Sequence, residues 1–131
     1  MKRKLEEIKS IVLDMGIEII KEDESNELII LNDEESGIKN MIIDCEDPIV
    51  VIEQLIMKTP TPSGNLFKRL LQMNRELIHG AFVLDESGES ILFRDTLQIE
   101  NLDKNELEAS IRSLQLALSE YAGELLKYAG I

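Results

Sequence analysis

The most constraining feature of this sequence is an apolar stripe near its C-terminus. Within residues 103–128 the apolar positions recur by alternate steps of four and three residues, which places them on one face of a helix. The members of the stripe are Leu107, Ile111, Leu114, Leu118, Tyr121 and Leu125. Asp103 occupies the natural N-cap position, and Glu106 completes a capping-box-like pattern three residues later. The stripe therefore predicts a long final helix.

Two shorter stripes predict two further helices. The first consists of Leu5, Ile8, Val12 and Met15, and Gly16 follows at the position of a C-terminal cap. The second consists of Leu66, Leu70, Met73 and Leu77. It comes after the helix-breaking residues 59–62, which contain two prolines. For this second helix we expect Ser63 to be the N-cap and residues 79–80 to mark the end.

Between the helices lie short aliphatic runs separated by polar turn-forming residues, the pattern of β-hairpins. The runs at 17–21 and 28–31 form one predicted hairpin, those at 39–44 and 49–58 a second, and those at 81–84 and 90–99 a third. Residues 49–57 leave a helix open as an alternative, although their β-branched start favours a strand. The order is α-ββ-ββ-α-ββ-α, and locally paired antiparallel strands place the chain in the α+β class. At 131 residues we expect a single domain, residues 1–131.

The charge of the chain restricts the classes of partner that it can bind. The formal net charge is −12, and aromatic residues make up only 4% of the sequence. A phosphate backbone and an anionic membrane surface both repel such a chain, so we expect neither nucleic acid nor a membrane as partner. The single cysteine, Cys45, excludes an intramolecular disulfide, and the sequence contains neither a signal-peptide core nor a membrane-spanning run. We expect a cytoplasmic protein.

The sequence offers few candidates for chemistry, and each has a simpler interpretation. His79 has no nucleophile or second metal ligand nearby in sequence, and Cys45 stands among carboxylates that raise a thiol pKa. Acidic turns beginning at Asp23 and Asp85 do not match the spacing of a calcium-binding EF-hand loop. Asn74 is expected to form a local hydrogen bond that fixes the packing of its helix. We therefore predict no enzyme activity and no catalytic, cofactor-binding or metal-binding residue.

A set of motifs between residues 60 and 128 resembles a known group of proteins. The motifs are Leu70-Leu71-Gln72-Met73-Asn74, then Gly80-Ala81-Phe82-Val83-Leu84-Asp85, Gly88, Leu92-Phe93-Arg94 and Leu97, followed by the long final helix. In this order they are similar to YbjN-type domains and to the related CesT/Tir-type chaperones of type III secretion. The first 58 residues agree with these families in the order of elements.

The resemblance implies helices packed on a twisted antiparallel sheet, a homodimer and no catalysis. It implies a chaperone-like domain that holds a segment of a client protein, by strand addition and apolar pockets. The alternative is a YbjN-type regulatory module in sensing or stress response, with folded partners. No partner-binding residue follows from the motifs. For the homodimer we expect the second apolar edge of the final helix, formed by Leu116, Ala117 and Leu126, to face the other subunit.

Overall fold

Six strands and three helices make up the chain, and a computed structural model describes them over residues 2–130. The strands are β1 (Glu18–Asp23), β2 (Leu28–Asp33), β3 (Ile38–Glu46), β4 (Ile49–Lys58), β5 (Ala81–Leu84) and β6 (Ser90–Gln98). The helices are α1 (Lys2–Asp14), α2 (Leu66–Glu76) and α3 (Lys104–Tyr128). This order confirms the predicted α+β class.

All six strands form one antiparallel sheet in the order β1-β2-β3-β4-β6-β5. Each predicted hairpin forms, and the pairing of β4 with β6 joins the first four strands to the last two. This pairing runs from Ile49 opposite Gln98 to Lys58 opposite Ser90. Residues 49–57 are therefore a central strand, with neighbours on both sides, and the helical alternative for them is excluded.

One face of the sheet holds the core. The side chains of Ile29, Ile43, Ile52 and Phe93 on this face are fully buried. The helical stripes pack over them, with buried residues such as Ile8 of α1, Met73 of α2 and Leu114 of α3. The alternation of side chains along each strand directs the other half of the strand residues to the opposite face.

The helix termini agree with the prediction for α3 and differ for α2. The Asp103 carboxylate accepts a hydrogen bond of 2.8 Å from the backbone N–H of Glu106, as expected of an N-cap. The prediction that Ser63 caps α2 is wrong, because Gly64 has a φ of 59° and α2 begins only at Leu66. The predicted end at residues 79–80 is also wrong. Leu77 is extended, with a ψ of 136°, so α2 ends at Glu76.

Gly80 and Gly88 allow packing against β6 to be tested separately from backbone strain. Their φ angles are nearly the same, 76° and 77°, so alanine should cause similar backbone strain at both. A Cβ atom added at Gly80 would lie 2.5 Å from Cζ of the buried Phe93, whereas one at Gly88 would meet nothing within 4 Å. We expect Gly88→Ala to lower the free energy of unfolding by about 1 kcal/mol through backbone strain alone. Gly80→Ala should lower it by about 3 kcal/mol, because overpacking adds to the same strain. Urea denaturation monitored by circular dichroism measures both values, and equal losses would contradict the role of Phe93.

Candidate functional site

The residues considered for catalysis lie apart from one another. His79 is exposed in the loop between α2 and β5, and its backbone carbonyl accepts a hydrogen bond from the Ser113 hydroxyl. Cys45 is buried in β3, and burial raises the pKa of its thiol to about 11, with Glu27 and Asp44 adding to the effect. A thiol with such a pKa is a poor nucleophile at neutral pH.

In the two acidic turns, the carboxylates of Asp23 and Asp85 accept hydrogen bonds from residues of the same turn. Asp23 accepts hydrogen bonds from the side chains of Ser25 and Asn26, and these bonds lower the pKa of Asp23. Asp85 accepts from the Ser87 hydroxyl and from backbone N–H groups after it. Along residues 2–130 no group of three or more His, Cys, Asp or Glu side chains has the arrangement of a metal site.

The Asn74 side chain closes one edge of the sheet. Its Nδ2 donates to the Phe82 carbonyl at 3.0 Å, and its Oδ1 accepts from the Phe82 N–H at 2.8 Å. In an antiparallel ladder both backbone groups of a residue point to the same side, so those of Phe82 point away from β6. The Asn74 amide therefore occupies the outer edge of the four-residue strand β5. This bond connects α2 to β5, which sequence spacing alone did not indicate.

The other edge, formed by β1, has backbone groups that face outward. The hydrogen bond of 3.0 Å from the Cys45 N–H to the Glu27 carbonyl shows which residues of β2 direct their backbone groups toward β3 and which direct them toward β1. Given the register of β1 and β2, the backbone groups of Glu22 then point away from β2. A bulge between Ile19 and Lys21 interrupts the edge, and Ile20 within it is 46% exposed. The two edges of the sheet are thus chemically different.

The face of the sheet opposite the core carries aliphatic side chains beside Thr96 and the ion pair of Glu53 with Arg94. An antiparallel sheet face in contact with water is usually polar. Here a set of cross-strand neighbours on this face is apolar. Each of these side chains is partly exposed, and none of them belongs to the buried core. They are Leu28, Ile30, Ile42, Val51, Leu55, Val83 and Leu92. We call this set the open face.

Asp44 interrupts the open face between its cross-strand neighbours Leu28 and Val51. Its Oδ1 atom is buried and has no hydrogen-bond partner among the described residues. Burial, followed by the effects of Glu46 and Glu53, raises the pKa of Asp44 to about 6. An ionised Asp44 thus has one buried oxygen without the donor or cation that such an atom normally has.

A family model, CesT_Tir_1, matches residues 1–130 of the sequence. The chain belongs to the CesT_Tir_1 family. A search of curated protein sequences found no match.

Solved structures share the fold of this CesT_Tir_1 member. YbjN from E. coli is similar with a TM-score of 0.70 and 14% identity, over 92% of each chain. SycH, a type III secretion chaperone of Yersinia pestis crystallised with a fragment of YscM2, has a TM-score of 0.59 and 16% identity. That match covers 90% of this chain and 97% of SycH. A chain of the HopA1–SchA chaperone–effector complex has a TM-score of 0.57 and 12% identity, over 80% of this chain and 81% of that one. The predicted resemblance to YbjN and to secretion chaperones is therefore confirmed.

None of the helices described for this CesT_Tir_1 domain within residues 2–130 is long and apolar enough to cross a membrane.

The raised pKa of Asp44 predicts how its replacement changes stability with pH. Because the folded pKa of about 6 exceeds the ordinary aspartate pKa of 3.8, folding disfavours the charged form, and the penalty applies in full above about pH 6. We expect Asp44→Asn to raise the free energy of unfolding at pH 7 by about 1 kcal/mol, since solvent partly screens this carboxylate. The gain should shrink as the pH falls and vanish below the ordinary aspartate pKa of 3.8. Urea denaturation at several pH values tests this.

Asp85→Asn is the control with the opposite sign. Burial acts to raise the pKa of Asp85, but hydrogen bonds from Ser87, Ser90 and Glu89 outweigh it and leave the pKa lowered. This carboxylate therefore stabilises the fold above the ordinary aspartate pKa of 3.8, and the contribution is lost as the pH falls through the folded pKa. Asp85→Asn should destabilise the protein at pH 7. If both variants changed the free energy of unfolding at pH 7 in the same direction, the opposite pKa shifts of Asp44 and Asp85 would be contradicted.

Proposed function

We propose that the chain is a non-catalytic, chaperone-like binding domain that holds an extended segment of a client protein. The client segment adds to the sheet as a further strand on β1. The observation that carries this proposal is the difference between the two edges, since Asn74 occupies the outer edge of β5 whereas Glu22 on β1 directs its backbone groups outward.

Strand addition separates affinity from selectivity. Main-chain hydrogen bonds to the edge of β1 supply affinity for any extended segment, and side-chain contacts supply the choice among segments. The open face, which starts at Leu28 and Ile30 on the strand next to β1, provides apolar contacts for alternate side chains of the client. Members of the fold crystallised with protein partners, SycH with YscM2 and the chaperone–effector complex, support a protein as ligand.

The charges near β1 favour a basic client segment. Glu18, Glu22 and Asp23 lie on the edge strand, with Lys21 as its single cation. The formal net charge of −12 adds a long-range attraction for a basic partner and repels nucleic acid and anionic membranes.

Further parts of the proposal concern the whole chain. We place residues 1–131 in one domain, in the cytoplasm and in a homodimer, without a cofactor. The absence of catalysis rests on the separation of His79 from Cys45 and on the inert thiol. Static light scattering at micromolar concentration should give twice the chain mass of 14.9 kDa, and a mass of 14.9 kDa would contradict the homodimer.

The second candidate function is a YbjN-type regulatory module whose partners are folded proteins. The similarity to YbjN, with a TM-score of 0.70, favours it. The acidic surface argues for a protein target rather than DNA, because nucleic-acid affinity depends on Lys and Arg contacts to phosphates. The two candidates differ in what they bind, an extended segment or a folded surface, and one pair of variants separates them.

Glu22→Pro and Glu22→Ala form that pair. Proline removes the outward N–H and is tolerated where an edge strand faces solvent. Both variants lose the ion pair of 2.9 Å between Glu22 and Lys9 on α1. The comparison therefore isolates the backbone N–H at position 22, which alanine keeps and proline lacks. The tagged wild type is used to isolate partners from the source cells, and mass spectrometry identifies them. We expect Glu22→Pro to bind a recovered client at least about tenfold more weakly than Glu22→Ala does, measured by calorimetry.

Hydrogen exchange provides the second measurement. The client should slow exchange of the β1 amides, since they become hydrogen-bonded between two strands. A partner that binds both Glu22 variants equally and leaves β1 exchange unchanged would falsify strand addition. If that partner is a folded regulatory protein, the second candidate function replaces the first.

A further inference from the structure

Four exposed residues of α2 lie on one side of the helix, away from the core. Their spacing in steps of three and four residues places them side by side, and the buried residues of α2 occupy the other side. The four are Phe67, Lys68, Leu71 and Arg75, and we call them the outer face of α2. Phe67 is 40% exposed and Leu71 is 72% exposed. Aromatic residues and arginine on a surface are typical of protein interfaces.

The outer face of α2 carries the opposite charge to the chain as a whole. Lys68 and Arg75 have no ion pair and no hydrogen bond from their side chains to other residues within 2–130. Arg69, by contrast, pairs with Glu124 on α3. Residues 48–82 contain four basic and two acidic side chains, a formal net charge of +2 in a protein of net charge −12. Two cations of α2 are therefore available to an acidic partner.

This surface adjoins the edge of the sheet that Asn74 occupies. Asn74 follows Leu71 by three residues and Phe67 by seven, on the same side of the helix. Its amide makes both hydrogen bonds to the backbone of Phe82 on β5. A partner therefore cannot pair with Phe82 as a further strand. Contacts through side chains are left, and a partner helix packed along α2 supplies them at its own steps of three and four residues.

We propose that the outer face of α2 docks an acidic amphipathic helix of a partner protein. The apolar stripe of that helix packs on Phe67 and Leu71, and its glutamates or aspartates pair with Lys68 and Arg75. A two-fold axis through this face would bring the cations of two copies into one contact, so a second copy of this chain fits it less well. The site is additional to the proposed client edge on β1 and does not depend on it.

The helical edge predicted to face a second subunit lies on α3 and is a different surface. Leu116 is 69% exposed and Leu126 is 48% exposed, as such an edge requires. Ala117 is only 2% exposed and belongs to the core, so the prediction that Ala117 faces another subunit is wrong. None of these residues belongs to the outer face of α2.

Two synthetic peptides test the site. Each has capped ends and about 15 residues, the length at which an isolated helix becomes stable. One carries leucines in steps of three and four with glutamates beside them, and the other has lysine in place of every glutamate. In amide NMR spectra of the wild type, the acidic peptide should shift the resonances of residues 66–76, and the lysine peptide should leave them unchanged. The net charge of −12 repels the acidic peptide, so non-specific attraction does not produce this result.

Variants of the outer face identify the contacts. Leu71→Asp and Arg75→Glu should each weaken binding of the acidic peptide at least about tenfold. Arg112→Glu is the control for net charge, because it makes the same change of charge at an exposed position on α3. Leu13→Asp is the control for an exposed leucine, since Leu13 is 58% exposed on α1. Both controls should bind like the wild type, and circular dichroism should show that all four variants are folded.

The outcomes are decisive for this site. An acidic peptide that leaves the α2 resonances unchanged, or that binds Arg75→Glu and Arg112→Glu equally, overturns the proposal. A loss of self-association in Leu71→Asp, measured by sedimentation equilibrium, also overturns it, because a second copy would then cover the outer face of α2. Glu22→Pro separates this site from the client edge on β1 and should bind the acidic peptide like the wild type. If Glu22→Pro loses the peptide, the peptide binds at β1 and the site on α2 is excluded.

Discussion

The two hydrogen bonds between the Asn74 amide and the backbone of Phe82 determine which edge of this sheet is closed to a further strand. A sheet that does not close on itself has two edges, and an exposed edge can pair with any extended chain. Because the Asn74 amide makes both backbone bonds that a further strand would make to Phe82, the outer edge of β5 is occupied. The same bonds fix α2 beside β5. The contrast between the occupied edge of β5 and the outward backbone groups of Glu22 on β1 thus depends on this one side chain.

The distribution of apolar surface divides the molecule into faces with different roles. The helices cover one face of the sheet, where Ile29, Ile43 and Phe93 are fully buried. On the opposite face, Ile42 remains 37% exposed and Leu55 remains 54% exposed. Exposed apolar surface of this extent costs solubility unless a partner covers it, and a strongly acidic chain tolerates it better than a neutral one. The net charge and the open face therefore fit together as properties of a domain that binds proteins.

Asp44 shows that one side chain of this face opposes stability. Its Oδ1 atom is buried and has no hydrogen-bond partner among the described residues, and its cross-strand neighbours are Leu28 and Val51. An ionised Asp44 therefore destabilises the folded chain above about pH 6.

Local sequence patterns were enough to predict most of the helices and strands. The stripes of α1 and α3, the turn residues of three hairpins and the Asp103 cap were predictable, because each depends on residues within a few positions of one another. The limits of α2 were not, since the backbone conformations of Gly64 and Leu77 end the helix earlier than its apolar stripe does. A lone sequence also does not say which β-branched run becomes the central strand.

The positions of these elements relative to one another depend on long-range packing. The pairing of β4 with β6 joins residues about 40 positions apart. It sets which face is open, and it leaves β1 and β5 as the edges. The bonds of Asn74 to Phe82 and the unpaired oxygen of Asp44 follow from that topology. Local sequence patterns record periodicity along the chain, whereas these contacts arise from long-range packing that periodicity does not encode.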